Sequence, residues 1–559
     1  MPSQPSQSAL RSFSNVASTF WEKNTLGSPR RVILVEAMAQ DLRYTLRNLT
    51  VANALRRIEP AELVVYSGAD EEWNQVVWAY FSLEDQLRLA NAYGARDAFD
   101  IHAVVDDRVA GRTTPVTVAG VELGGELPES GISPDRFEQI VYATACRMAK
   151  VARLDDTEEH RAKRLQVEAR SREFARVYEA LFENLDVVAL VSSHVDYNNF
   201  GLAVESALRH DVPVLFAQPT GGLKVYGLWP DQQQPGRPVR AVLTEEVAAF
   251  FESHVWRHRD LLRRSAELSA WRARSALGRP AWWRWQGPRV QLHGAEERAE
   301  MRRHAARITG LDAAKPTVSV FNHAVSDALG TNMEAFPDLG AWFEATAEHA
   351  RGRRDVNWLF LDHPRQYLYD GSGFFDRVAE RYVDEPHMRF MASLDLTKNM
   401  LVALSDLVLT VRGSVANEYP VLGIPAIQTG WSEWSHCGFT TVCDTVDDYF
   451  SELDAHLKGL LAGDALMTPE QVDRARLWTW FYRAATDVPS GLVQQWQVGQ
   501  DDTLFDLLST NMLHVESDAD PAFAAVRRLW RRRDPFLTRV DWTLDAERLA
   551  DSLAVVSPS

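Results

Sequence analysis

The feature that most constrains this chain is a run of apolar, β-branched segments alternating with segments of helical spacing, and it occurs twice. In the first half, "RRVILVEAM" (residues 30–38) reads as a buried strand. The helical "RYTLRNLTVANALRRI" and a second strand, "AELVVYSG" (61–68), follow it. "LDVVALVSS" (185–193), the helical "FGLAVESALRH" and "VPVLFAQP" (212–219) continue the pattern. A second series runs through "TVSVFNHAV" (317–325), "NWLFLDHP" (357–364), "DLVLTVRG" (406–413) and "PAIQTG" (425–430). Continuous apolar strands separated by helices predict parallel sheets covered on both faces. The expectation is α/β, with two Rossmann-like domains facing a cleft and a helical linker and helical C-terminal tail.

A length of 559 residues exceeds what one core supports, so two domains plus extensions are expected. The boundaries read as a flexible N-terminus (1–25), an N-terminal Rossmann-like domain (26–245) and a Trp- and Arg-rich helical linker (246–312). A C-terminal Rossmann-like domain (313–500) and a helical tail (501–559) complete the chain. The charge-rich stretch 155–182 is expected to be a solvated crossover helix. A net charge of −17 argues against a nucleic-acid binder, whose phosphate contacts need a basic surface. Cys146, Cys437 and Cys443 form no C-x-x-C pair, which points to a reducing compartment and away from metal or disulfide roles. The polar N-terminus lacks an apolar signal core, and no window approaches the ~20 apolar residues of a spanning helix. A cytoplasmic protein is expected, with contact to the inner membrane from inside as an option.

Ligands of open α/β sheets bind where strands end and loops begin. In the second series those ends carry His323 and Asp327 in "FNHAVSDA", His363 in "DHP", and Arg412, Gly413, Ser414 and Glu418 in "VRGSVANEYP". Backbone N–H groups at a helix start, with the Ser414 hydroxyl, suit a phosphate, and Gly413 lets it approach closely. The plainer readings stay open: Glu418 as an acid favoured in a first helical turn, His363 as a core histidine, and His323 and Asp327 as caps. In the first half, "VSSHVDYNNFG" (191–201) puts His194 and Asp196 after a strand. Either can deprotonate a hydroxyl, and Asp196 can serve as a nucleophile; a polar helix cap is the alternative. Glu36 is a further candidate at the end of the first strand, Gly201 permits close helix packing, and "QPTGGLKVYG" (218–227) is expected to be a mobile cleft loop. No cluster has metal-ligand spacing, and "DAD" (518–520) reads as loop.

Residues from about 317 to 450 resemble the capsule and surface polysaccharide biosynthesis family, whose members are similar to bacterial Kdo (3-deoxy-manno-octulosonic acid) transferases. The resemblance is carried by "VFNHAVSDA", "VNWLFLDHP", "SDLVLTVRGSVANEYPVLGIPAIQTG" and "GFTTVCDTVDDYF", and it covers about a quarter of the chain. It implies a metal-independent GT-B-like glycosyltransferase using a nucleotide-sugar donor, with CMP-Kdo first and a related ulosonic acid or UDP-hexose next. The acceptor would be a glycan or lipid-linked glycan. By the same resemblance His363 would contact the donor phosphate or the leaving nucleotide, Gly413 and Ser414 would hold the phosphate, Glu418 would meet the ribose, and Arg412 would offset leaving-group charge. Relatives often carry a lysine shortly before H-P, whereas Leu361-Asp362 stand here. Two other functions fit the same architecture: a nucleotide-sugar epimerase and a non-catalytic subunit of an export complex. "AVRRLWRRRDPF" (525–536) reads either as an interfacial helix or as one packing its aromatic side on the N-terminal domain. "AWWRWQGP" (281–288) offers an aromatic acceptor platform or interdomain packing.

Overall fold

The computed structural model describes residues 5–27, 30–38, 42–68, 82–112, 115–218, 220–234, 237–262, 294–327, 335–494, 500–514 and 519–554. The stretch 281–288 and Asp518 lie outside these residues. The N-terminal sheet is built from β1 (Arg31–Ala37), β2 (Glu62–Ser67), β3 (Ala95–Asp100), β4 (Asp186–Ser192), β5 (Val214–Gln218) and β6 (Lys224–Leu228), in the order β3-β2-β1-β4-β5-β6. The C-terminal sheet comprises β7 (Thr317–Phe321), β8 (Asn357–Asp362), β9 (Met388–Ala392), β10 (Leu407–Thr410), β11 (Ala426–Gln428) and β12 (Thr441–Val442), in the order β9-β8-β7-β10-β11-β12. Both follow the 3-2-1-4-5-6 order of a Rossmann sheet, so the two Rossmann-like domains expected from the strand pattern are present. All pairings are parallel except β5 with β6.

The central strands are buried along their length, as the continuous apolar runs require: Ile33, Leu34 and Val35 of β1 and Leu407, Val408 and Leu409 of β10 are fully enclosed. The charged segment around 155–182 forms the helix Glu158–Asn184, which leads into β4. Thr157 caps it and Phe174, Val177, Tyr178 and Leu181 are buried beneath it, so only its other faces are solvated.

Three expectations about the ends and loops change. The first 25 residues are not wholly a flexible extension: Gln7–Asn24 is a helix capped by Ser6, whose Leu10, Phe13, Ala17 and Trp21 are buried. Phe13 stacks on Phe505 of the helix Asp501–His514, with ring centroids 4.9 Å apart. The C-terminal helices are not a separate tail either. Leu504, Phe505, Leu508, Phe523, Val526 and Leu529 share one core with β1, β2 and β5, so the chain crosses back and completes the N-terminal half. Most of "AVRRLWRRRDPF" lies in the helix Pro521–Arg532, whose Ala525, Val526 and Leu529 are buried against the N-terminal half, as the packing alternative expects. The segment 218–227 is likewise no free loop. Asp487 Oδ1 accepts from Gly222 N–H (2.9 Å) and Thr220 Oγ1 (2.8 Å), and Leu223 pairs with Val488 before β6 begins. A Cβ on Gly222 would sit 2.3 Å from the Val488 carbonyl oxygen, which is why only glycine admits the returning chain there.

Candidate functional site

Both halves contribute to one cavity of about 180 Å³. The N-terminal half supplies Arg240, Leu243 and Thr244 from the helix Val239–Phe250. The loops after β7, β10 and β11 supply His323, Asp327, Arg412 and Trp431 to Trp434. This is the position Rossmann-like sheets reserve for ligands. Two guanidinium groups and an imidazole line it together with the carboxylates of Asp327 and Glu433, a mixed lining with donors for an anion and acceptors for hydroxyls.

Of the residues expected to lie here, His323, Asp327 and Arg412 line the cavity directly. His363 stacks beside His323, with ring centroids 6.3 Å apart and an interplanar angle of 24°. Burial, reinforced by the His323 ring, pulls the His363 pKa down to about 4, so the ring is neutral at pH 7. The Arg365 N–H donates to His363 Nδ1 (3.3 Å), which leaves the proton on Nε2 and makes that atom a hydrogen-bond donor. Asp362, the acid that precedes His363, is engaged within the fold through one oxygen. Its Oδ1 accepts from Asn322 Nδ2 (3.1 Å) and from His363 N–H (2.9 Å), and burial raises its pKa to about 6.

The turn after β10 departs from the phosphate-loop expectation. Gly413 N–H donates to Thr410 Oγ1 (3.1 Å), and the following helix, Val415–Glu418, is a single turn with little dipole to offer. A Cβ at Gly413 would fall 2.6 Å from Thr410 Oγ1, so the glycine is needed for that turn. Ser414 Oγ donates to Glu418 Oε1 (3.2 Å), and Lys398 Nζ lies 3.5 Å from Glu418 Oε2. Lys398 begins the helix Lys398–Leu404 and supplies, from another element, a lysine near this corner of the site.

In the N-terminal half, Asp196 and His194 separate in role. Asp196 is buried and bidentate with Arg240, Oδ1 to Nε at 3.0 Å and Oδ2 to Nη2 at 2.5 Å. Burial alone would raise its pKa, but Arg240, with Arg412 and Arg136 behind it, more than offsets this and holds it below the usual carboxylate range. With both oxygens engaged, Asp196 orients Arg240 towards the cavity. The half-buried His194 ring lies between Tyr44 and Phe200, at centroid distances of 5.0 and 4.7 Å. Burial lowers its pKa; Glu36, Asp196 and Asp327 act in the opposite sense and Arg240 with the burial.

His194 Nδ1 is 2.8 Å from Ser193 Oγ, and Ser193 Oγ makes a short hydrogen bond to Glu36 Oε2. Glu36 is fully buried. Its Oε1 accepts from Met38 N–H (2.5 Å), and its Oε2 from Ser193 N–H (2.9 Å) and Asn48 Nδ2 (3.2 Å). Past His194 the chain makes a π turn, Tyr197–Gly201, entered by Tyr197 at φ 64°. A left-handed tyrosine costs on the order of 1 kcal/mol or more. It carries the Tyr197 hydroxyl across to the C-terminal half, 3.3 Å from the Ser326 carbonyl oxygen and 3.5 Å from Asp327 Oδ1. Gly201 closes the turn, where a Cβ would meet the Val195 carbonyl oxygen at 3.1 Å, in keeping with its expected packing role.

Sequence reading missed Arg240, Ser193, Trp431, Glu433 and Lys398. Arg240 and Ser193 gain their meaning only from partners far along the chain, and no local pattern marks them. Among the described residues no group of three or more His, Cys, Asp and Glu is placed to hold a metal ion. The three cysteines are free and buried. No described helix is long and apolar enough to cross a membrane.

The fold and site together define a two-domain, Rossmann-like α/β protein with an interdomain cleft lined by arginine, histidine, carboxylate and tryptophan side chains. No protein-family model matches the chain and no curated protein matches it, so the Kdo-transferase resemblance stands on its motifs alone. Among solved structures the chain is similar to the UDP-GlcNAc 2-epimerase from Neisseria meningitidis bound to UDP-GlcNAc, at 9% identity, covering 80% of this chain and 97% of that one with a TM-score of 0.25. A glycosyltransferase from Rickettsia africae matches at 7% identity over 87% and 99% of the two chains, with a TM-score of 0.28. The ADP-heptose LPS heptosyltransferase II of E. coli matches at 11% identity over 78% and 99%, with a TM-score of 0.23. Similarity at this level carries no argument about activity.

Proposed function

We propose that the cleft binds a nucleotide-activated sugar and that the chain is a glycosyltransferase of surface or capsular polysaccharide synthesis. The observation that carries this reading is the pairing of Arg240 and Arg412, from opposite halves, in one cavity with His323. Such an arrangement suits a substrate whose phosphate must be gripped and whose leaving charge must be stabilised. In this reading Arg412 and Arg240 offset the departing phosphate and the neutral His363 donates from Nε2. Gly413 and Ser414 shape the donor corner, Glu418 meets the ribose, and Asp327 helps to frame the sugar. His194 takes the proton of an acceptor hydroxyl. The acceptor oxygen then bonds to the anomeric carbon while the anomeric C–O bond breaks, and the phosphate leaves with that electron pair. Asp196 serves by holding Arg240 rather than as base or nucleophile.

CMP-Kdo is the first donor to test, from the motif resemblance, followed by related ulosonic acids and UDP-hexoses. The acceptor is a glycan or lipid-linked glycan, met at the cytoplasmic face of the inner membrane. The experiment is a panel of CMP- and UDP-sugars scored for binding and for nucleotide release with and without glycan acceptors. Nucleotide release that needs an acceptor supports transfer; conversion of a donor alone into its epimer replaces it with the epimerase reading. Failure of every donor to bind better than millimolar ends the proposal. Arg412→Met is expected to weaken donor binding about ten- to a hundredfold, the worth of one hydrogen bond to a charged group. Unchanged affinity in that variant would remove Arg412 from the donor site.

A further inference from the structure

We propose that Glu36 and Ser193 are positioning residues that fix the tautomer of His194, so that its Nδ1 carries the proton and its Nε2 is the free acceptor. The inference rests on the reading of His194 as the base, and it follows from counting donors. Glu36 receives N–H donors from Met38, Ser193 and Asn48, all groups with hydrogens to give. With these aimed at both of its oxygens, the carboxyl group acts as an acceptor. The Ser193 hydroxyl, in short contact with Oε2, must then be the donor of that bond. A hydroxyl has one hydrogen, so towards His194 Nδ1, 2.8 Å away, Ser193 Oγ can only accept. Nδ1 therefore holds the ring proton, and the lone pair of the neutral imidazole is on Nε2, at the opposite side of the ring.

The arrangement does two things for proton abstraction. It removes the tautomer in which Nε2 is already protonated and unable to accept. It also places a buried carboxylate, one hydroxyl away, where it stabilises the imidazolium formed when Nε2 takes a proton. Tyr44 and Phe200 flank the ring and limit its rotation, so orientation is held by packing as well as by the hydrogen bond. Glu36 lies 157 residues before Ser193 yet meets it, because β1 and β4 are neighbours in the sheet and both end at the same edge.

The test is histidine-selective 15N NMR of the full chain without ligand, with the His194 signal identified by its loss in His194→Gln. The expected spectrum has a protonated Nδ1 and an unprotonated Nε2 at neutral pH. In Glu36→Gln the loss of the carboxylate's charge weakens its hold on the hydroxyl hydrogen, the hydroxyl is freer to turn to Nδ1, and the ring proton is expected to shift towards Nε2. Ser193→Ala, a smaller change should Glu36→Gln fail to fold, is expected to give a mixture of both tautomers, and Ser193→Thr to restore the wild-type pattern. A wild-type proton on Nε2, or tautomers indifferent to both substitutions, overturns the proposal. Because the spectrum needs no substrate, it is independent of whether a nucleotide sugar is turned over. With an active donor in hand, Glu36→Gln is expected to lower kcat at least ~tenfold, within the usual worth of a general base, with KM unchanged. A rise in KM at constant kcat would place these residues in binding and also overturn it.

Discussion

Replacing Asp196 with asparagine separates the two roles that its position suggests, structural partner and catalytic acid or base. The carboxylate meets Arg240 through two bonds of 3.0 and 2.5 Å, with 8% of the Asp196 side chain and 25% of the Arg240 side chain exposed. Two unit charges about 4 Å apart attract by about 4 kcal/mol at an effective dielectric constant near 20. Removing one partner of a buried pair typically costs about 3–5 kcal/mol, because a charge is left without its counterion. Water reaches a quarter of Arg240, which screens the stranded cation, so the expected loss for Asp196→Asn is about 2–3 kcal/mol. The double variant Asp196→Asn/Arg240→Met removes both charges and is expected to be more stable than Asp196→Asn alone, giving a coupling energy of about 2 kcal/mol. Native-state hydrogen exchange, read on peptides from β4 and from the helix Val239–Phe250, isolates the affected region within a two-domain protein. The pair also sets a pH dependence. Since the folded-state pKa of Asp196 is depressed, its contribution is present above the ordinary aspartate range and is lost as pH falls through the folded value. Exchange in Asp196→Asn within about 0.5 kcal/mol of wild type, or strict additivity in the cycle, would refute the argument.

Gly222→Ala is expected to destabilise the protein by about 2–3 kcal/mol, because the Val488 carbonyl, 2.3 Å from the new Cβ, is backbone and cannot swing aside. An unchanged thermal midpoint would show that the returning segment is not seated as described. Lys224, buried on β6 with Nζ 3.1 Å from the Tyr482 carbonyl oxygen, has its pKa lowered to about 7, chiefly by burial and against the pull of Glu433 and Asp487. Between about pH 7 and the unfolded value near 10.4, the folded state releases this proton while the unfolded state keeps it, so stability rises with pH by up to about 1.4 kcal/mol per unit. Lys224→Met is expected to flatten that rise in urea unfolding measured from pH 7 to 10, and an unaltered slope would count against it.

The central strands were legible because both of their faces are buried and the apolar runs are continuous. β3, "ARDAFD", and β9, "MRFMA", were missed for the converse reason: each is an edge strand whose residues are mostly only half-buried, so neither shows such a run. Lys224–Leu228 was read as loop because Gly221 and Gly222 precede it. What makes it a strand is pairing with β5 and contact with residues 487, 488 and 536, information carried by distant sequence. At the site, strand ends pointed to His323, Asp327 and Arg412, which line the cavity, and to His194, which lies outside its lining. The same reasoning overestimated Gly413, whose N–H is taken by Thr410, and it treated Asp196 and His194 as interchangeable. Arg240 lies 44 residues beyond Asp196 in a helix of ordinary composition, and only the fold reveals that it engages both oxygens of that carboxylate.

The two halves are joined by apolar packing as well as by polar links. Arg240 and Arg412 line the cavity together with Asp327 and Glu433, so cations and carboxylates meet there. Asp196 supplies a counterion within one half, and Tyr197 reaches across to Asp327, but both are short polar links. The apolar tie is the helix Pro469–Trp480 with the turn that follows it, whose Trp478 and Phe481 share a core with Phe250, Phe251 and Phe536 from the N-terminal side and Tyr419 and Val421 from the C-terminal side. Phe250 belongs to the helix that carries Arg240, and Tyr419 follows the turn that begins at Arg412. The core that joins the halves therefore also carries the elements from which the two cavity arginines project.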